Sequence, residues 1–330
     1  MPVSISIDSA IEEFLAIYEN KGADKTAHAY RAALRKFTEV LELNHIPTTR
    51  AVNKIDFNLV DDFIALLQDK DSKITVATER LYLTAFRQFI SFLSAEEYAE
   101  VPVVRILEKI KRLRRTEGRR IPDVDIEGVK RLLWSMEDYR IPGGTNQDEK
   151  LRILRDKALI FILAEAGLRI EEACKLKRKN INWTANQARI IGKKDKEAIV
   201  RLSTKSLQYL REYLATRQDL DGASGKALQA LPLFARHDLG AGKRISAITT
   251  TTGRTIIEKW VEAAGLVDLT SPITPHSLRH YFVTMVYEAT GDLKLAQELA
   301  RHESTETTER YTHLINPKLD EAYRLTFENR

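Results

Sequence analysis

The apolar pattern of this chain stops about a third of the way along, and that break limits what it can fold into. Residues 105–120 read Arg-Ile-Leu-Glu-Lys-Ile-Lys-Arg-Leu-Arg-Arg-Thr-Glu-Gly-Arg-Arg, with eight lysines and arginines against two glutamates. Gly118 interrupts the run and Pro122 opposes helix continuation just beyond it. A segment so charged does not make a core, so the sequence on either side needs a core of its own. A length of 330 residues also exceeds what one core usually holds. The expected division is residues 1–111, a basic linker at 112–122, and residues 123–330. As a linker, the basic run reads either as a solvated helix face or as a strap touching DNA phosphates, which would make binding strongly salt-dependent.

Before the break the pattern is helical throughout. Ile11, Phe14, Leu15 and Tyr18 share one face, and Gly22 can stop that helix. Tyr30, Leu34, Phe37 and Leu41 form a second stripe, ended by Pro47. Leu59, Val60, Phe63, Ile64 and Leu67 form a third; Tyr82, Ala85, Phe86, Phe89, Ile90 and Leu93 form the strongest. Each stripe needs a partner, so four short helices packed as a bundle are expected.

After the break the chain is mixed. Helices are expected from Ile126, over 154–166, and over 204–217. Ala188-Arg189-Ile190-Ile191 and Ala198-Ile199-Val200-Arg201-Leu202 are short β-prone runs around Gly192-Lys193-Lys194-Asp195-Lys196, which predicts a β-hairpin with lysines at its tip. Residues 219–244 read as loop. Helices are expected over 253–264, 276–290, 292–301, 304–314 and 317–328. The fold class is mainly α with a small β-sheet or hairpin in the second domain.

Several function classes fall away on composition. Hydrophobic residues make up 43%, too many for a disordered chain. A net charge of +5 permits a nucleic-acid partner without demanding one. Cys174 is the single cysteine, so no disulfide forms within the chain; in an apolar helical stretch it reads as a small buried hydrophobe. Met1-Pro2-Val3-Ser4 has no signal-peptide features, and the apolar run from Ala158 to Leu163 meets Glu165 long before it could span a bilayer. A soluble cytoplasmic protein without a membrane partner is expected.

The chemistry concentrates in Gly167-Leu168-Arg169-Ile170-Glu171-Glu172, His276-Ser277-Leu278-Arg279-His280, Arg301-His302 and Glu309-Arg310-Tyr311-Thr312-His313. Arginines, histidines and a tyrosine suit attack of a phenol on a phosphodiester. A free phenol has a pKa near 10, which at neutral pH is a deficit of about 4 kcal/mol that neighbouring cations reduce. Arginines offer fixed, always-charged forks of donors to the phosphate. The departing sugar oxygen needs a proton, and Lys193, Lys194 and Lys196 are candidates to give it. No metal is needed, and no acidic cluster suits two magnesium ions.

Other motifs read as decoys. Gly240-Ala241-Gly242-Lys243-Arg244 lacks the first glycine of a P-loop and its Ser/Thr after the lysine. His276 and His280 have zinc-like spacing, but Ser277 stands where a metalloprotease has glutamate, and no third ligand is evident. A helix-turn-helix over 292–310 would leave the Arg, His and Tyr together unexplained.

These boxes, in this order, resemble the tyrosine recombinase and phage integrase family, most closely its Xer-type members. Residues 167–172 look like the first-arginine box, 192–197 like the lysine hairpin, 274–280 like the His-x-x-Arg box, and 297–313 like the closing segment. The resemblance implies a two-domain architecture, with an N-terminal core-binding (SAM-like) DNA-binding bundle and a mixed α/β catalytic domain forming a C-shaped clamp on duplex DNA. It implies that Tyr311 forms a 3′-phosphotyrosine link, that Arg169 and Arg279 hold the scissile phosphate, that His302 donates to a phosphate oxygen, that His276 assists proton movement at the nucleophile, and that Lys193 protonates the departing 5′-oxygen. Glu172 would orient the site; His280 and His313 read as structural. No cofactor or metal is implied. Four protomers would join two specific sites on double-stranded DNA, and the tail at 317–330, with Leu319, Tyr323, Leu325 and Phe327, would dock on a neighbouring protomer. One position departs from the family: Arg301 stands where glycine is usual before the closing histidine. A DNA-binding architectural protein and a type IB topoisomerase are the competing readings.

Overall fold

A computed structural model describes residues 5–54, 56, 59–115, 124–192, 197–238, 240, 245–269 and 271–301. Linker residues 116–122, the hairpin-tip lysines, and the helices expected over 304–314 and 317–328 lie outside the described residues. Contacts divide the chain into two compact units, residues 1–120 and 121–330. Among the described residues, no helix is long and apolar enough to cross a membrane.

The first unit contains α1 (Ile7–Asn20), α2 (Asp24–Leu43), α3 (Val60–Gln68), α4 (Val76–Ala95) and α5 (Val103–Leu113). Side-chain caps fix two starts: Ser6 accepts from the amide of Ser9 at 3.2 Å, and Thr75 from that of Thr78 at 3.2 Å. Gly22, at φ +65°, turns the chain out of α1. The four expected stripes meet in one core, where Phe37 and Phe63 each pack a ring on Phe86, at 4.8 and 5.1 Å between centroids.

The bundle gains a fifth described helix that the charge of the basic run conceals. Ile106 and Ile110 lie one turn apart on α5 and are buried in the bundle core. Arg115 is likewise no free strap residue. Its guanidinium pairs with Glu79, which is fully buried, and donates to the carbonyls of Leu67 and Ile74 at 3.3 and 3.0 Å. The tethered part of the basic run therefore extends to residue 115.

The second unit is built around α7 (Gln147–Ala166), whose stretch from Ala158 to Ala164 is apolar on every side and buried accordingly. Around it stand α6 (Ile126–Asp138), α8 (Ile170–Lys175), α9 (Thr204–Thr216), α10 (Gln218–Gly222), α11 (Thr250–Ala263), α12 (Pro275–Thr290) and α13 (Leu293–Ala300). α7 begins well before the apolar stretch at 154–166 because Asn146 caps it, accepting from the Glu149 amide at 2.9 Å. The expected hairpin is present as β2 (Gln187–Ile191) and β3 (Glu197–Arg201), antiparallel, with Ala188 opposite Val200 and Ile190 opposite Ala198. A short β1 (Ile181–Asn182) adds a third strand. Ala188, Ile190 and Val200 face the core, while Arg189, Ile191 and Ile199 face outward.

The segment read as loop at 219–244 needs correction. It starts as α10, and Leu231, Leu233, Phe234 and Ala235 are fully buried. Buried irregular backbone needs hydrogen-bond partners, and side chains supply them. Arg217, itself fully buried, donates to the carbonyls of Pro232 and Leu233 at 2.9 and 3.1 Å and to the Tyr213 hydroxyl at 2.8 Å, and pairs with Asp221 at 2.8 Å. Tyr213 accepts from the Ala235 amide at 3.1 Å and meets His237 Nε2 at 2.8 Å. Arg155 binds the Ala235 carbonyl and Asp156, whose other oxygen accepts from Trp260 at 3.2 Å.

Burial, together with Arg155, Arg217 and Arg152, pulls the His237 pKa down to about 3. The unfolded chain then binds the proton more readily between about pH 6.5 and 3, so native stability falls as pH drops through that window, by up to about 1.4 kcal/mol per unit. Urea titrations at pH 7.5 and 5.5 are expected to show this loss in the wild type and a flatter dependence in His237→Gln. Equal losses in both proteins would assign the acid sensitivity to other groups.

Candidate active site

The first-arginine box sits where α7 ends. Gly167 takes φ +60°, and a Cβ there would lie 2.4 Å from the Phe282 ring, so the turn requires glycine on both counts. The chain then restarts as α8 with Arg169 at its cap. Glu172 reaches back to the Arg169 amide at 2.9 Å and pairs with its guanidinium at 3.0 Å.

The second box opens α12. Thr274 and Ser277 exchange cap hydrogen bonds at 3.3 and 3.1 Å, and Pro275 occupies the first turn, where its missing N–H costs nothing. This start sets His276 and Arg279 three residues apart on one face. The His276 and His280 rings meet edge to face at 4.0 Å; His280 is buried, while His276 is exposed.

Arg279 links the boxes. It is 3% exposed, and its two terminal nitrogens donate to the carbonyls of Gly167, which caps α7, and Ala300, the last residue of α13. Helix C-terminal carbonyls are the natural partners of a cation. One guanidinium thereby fixes three elements distant in sequence.

Arg301 completes the cluster. It caps α13 at φ +57°, a left-handed conformation that costs an ordinary residue about 1–2 kcal/mol. The glycine usual in the family at this position fits that backbone without strain. Here the side chain turns inward and pairs with Glu172 at 3.1 Å. Glu172 is buried between two arginines.

Two guanidiniums pair with one carboxylate and a third, that of Arg279, feels the same charges, and the imbalance shows in the titration of Glu172, Arg279 and His276. Burial works against ionisation of Glu172, yet Arg301 and Arg169 hold its carboxyl below the usual range. Burial, then Arg169 and Arg301, pull Arg279 down to about 9, still charged at neutral pH. Burial, Arg279 and Arg169 lower His276, which favours the neutral imidazole. The site is short of negative charge, the condition under which an arriving phosphate is most stabilised.

Arg169, His276 and Arg279 open on one cleft of about 600 Å³. Arg254 of α11 lines the same cleft, as does Glu258. Sequence reasoning overlooked both. Their clue is Gly253, where a Cβ would lie 2.6 Å from Ile170 Cδ1, so α11 packs tightly against α8 and carries Arg254 toward Arg169. Cys174, buried and pushed up to about 11 chiefly by burial, is no nucleophile. Lys193, His302 and Tyr311 lie outside the described residues.

Residues 144–316 match the phage integrase family. Among curated relatives, tyrosine recombinase XerC of Thermodesulfovibrio yellowstonii is 28% identical over 300 residues, 90% of this chain and 88% of that protein. Tyrosine recombinase XerD of Staphylococcus aureus is 27% identical over 322 residues, 96% and 98%. The fold resembles that of the XerH site-specific recombinase in its post-cleavage complex with a palindromic difH substrate, with TM-score 0.69, 24% identity, and 90% and 79% of the two chains covered. It also resembles a lambda integrase in a tetramer bound to a Holliday junction, with TM-score 0.57, 16% identity, and 91% and 78% covered. The chain belongs to the phage integrase family, as a Xer-like, tyrosine-type site-specific DNA recombinase.

Proposed function

We propose that this recombinase cuts and rejoins duplex DNA through a covalent 3′-phosphotyrosine intermediate, with no metal or nucleotide in the scheme. The observation that carries the reading is the convergence of Arg169, Arg279 and His276 on one electron-poor cleft. Arg169 and Arg279 hold the non-bridging oxygens of the scissile phosphate and stabilise the charge that grows on them. The Tyr311 phenol attacks phosphorus, and neutral His276 takes its proton. The bond from phosphorus to the 5′-oxygen breaks as Lys193 supplies a proton to that oxygen, and His302 donates to a phosphate oxygen. The new ester keeps the energy of the old one, so a 5′-hydroxyl from another strand reverses the step without ATP.

The partner is double-stranded DNA carrying a specific site, gripped by residues 1–111 as a DNA-binding domain and by the catalytic domain after the linker. Four protomers join two sites, and the tail at 317–330 docks on a neighbour. The solved relatives bound to a difH substrate and, as a tetramer, to a Holliday junction support this reading. The expected compartment is the cytoplasm.

The test is a suicide duplex whose cleaved strand loses its 5′-hydroxyl fragment. The expected product is a protein–DNA adduct whose phosphotyrosine maps to the peptide holding Tyr311. Cleavage without an adduct, or an adduct on another residue, overturns the mechanism. Relaxation of plasmids without sequence preference would favour the topoisomerase reading.

A further inference from the structure

Arg301 combines three features that do not belong together by chance. Its backbone adopts a conformation that favours glycine. Its side chain is mostly buried, 17% exposed, although arginine is among the residues least often buried. And it binds a carboxylate that a cleft arginine also binds. A residue whose only task was to end α13 would be better as glycine.

The division of Glu172 between its partners points to the task. Arg169 takes Oε1 with its guanidinium at 3.0 Å, while its amide and the Arg301 guanidinium both approach Oε2, at 2.9 and 3.1 Å. Alone with Arg169, the buried carboxylate would cancel that cation and draw it away from the cleft. With Arg301 on its second oxygen, Glu172 is balanced from the far side. It can then orient Arg169, whose side chain is 46% exposed at the cleft, without consuming its charge.

We propose that Arg301 is a positioning residue for strand cleavage: it neutralises Glu172, so that Arg169 presents an undiminished positive charge to the phosphodiester. Arg301 acts in this scheme through Glu172 and Arg169. This inference rests on the role proposed above for Arg169.

Single-turnover cleavage of the suicide duplex at saturating protein separates chemistry from binding. Arg301→Gly relieves the strained φ and should fold at least as well as the wild type, which a melting curve checks. Its cleavage rate is expected to fall on the order of 100-fold, with DNA affinity within roughly threefold of wild type. Arg301→Lys keeps the charge and should stay within about tenfold. The decisive variant is the double replacement. Glu172→Gln alone should slow cleavage by about tenfold; combined with Arg301→Gly, it should leave the rate near that of Glu172→Gln and above that of Arg301→Gly, because no unbalanced carboxylate remains.

Losses that multiply in the double variant, or an Arg301→Gly enzyme as fast as wild type, would overturn the inference. Tyr311→Phe serves as the control on the underlying reading. If it forms no adduct while Arg301→Gly cleaves normally, only the role of Arg301 falls; if Tyr311→Phe still cleaves, the phosphotyrosine scheme falls first.

Discussion

Arg279→Ala is expected to slow strand cleavage by on the order of 10³–10⁵-fold, the range seen when a phosphate-stabilising arginine is removed, or about 4–7 kcal/mol of barrier. The size follows from its setting. Arg279 is 3% exposed, held by two helix-end carbonyls, and surrounded by other cations. A cation fixed before the ligand arrives stabilises charge more effectively than one that must reorganise. Binding should suffer far less, because one phosphate contact changes the logarithmic salt slope by only about one. Folding should lose about 1–2 kcal/mol, since the Gly167 and Ala300 carbonyls lose donors at the edge of a cleft that water can enter. Arg279→Lys should recover little, because an ammonium does not span two carbonyls as a planar fork does. Single-turnover cleavage, filter binding over a salt series and thermal melting separate the three effects. A variant within tenfold of wild type in cleavage would exclude Arg279 from the chemistry.

Arg217→Met carries the largest expected stability effect, about 3–5 kcal/mol, the usual result of removing one partner from a buried ion pair. The substitution leaves Asp221, itself buried, with Arg178 alone, and strips donors from two buried carbonyls and the Tyr213 hydroxyl. For a domain of this size the loss corresponds to a fall of roughly 6–20 °C in melting temperature. Breaking the exposed Lys36–Glu39 pair by Lys36→Ala should cost under about 0.5 kcal/mol and serves as the comparison. Calorimetry reads both. A loss below about 1 kcal/mol in Arg217→Met would mean that water or rearranged backbone replaces its hydrogen bonds.

The helices of the first unit were legible because each carries a regular apolar stripe whose only satisfactory burial is against its neighbours. α5 was not, since two isoleucines among eight basic residues give a weak stripe and a loud charge pattern. The hairpin was legible from a change of period. The buried segment at 231–237 was invisible for the opposite reason: its backbone is irregular, and what holds it is Arg155 of α7, Tyr213 of α9 and Arg217 at the cap of α9, which no local pattern connects. At the site, sequence could group Arg169, His276 and Arg279 by the family boxes. It could register Arg301 as an oddity, but not that the residue turns inward to a carboxylate 129 positions away. Arg254 went unnoticed because helix packing, not sequence spacing, brings it to the cleft.

The grip of Arg279 on two main-chain oxygens has one more consequence. An arginine has five N–H donors, and among the described residues the Gly167 and Ala300 carbonyls engage two of them, which fixes the plane of the fork. A free side chain of this kind surrenders about 2 kcal/mol of rotamer freedom when it is immobilised. In this protein that disorder is given up as the polypeptide folds, so a docking nucleic acid meets a side chain already at rest.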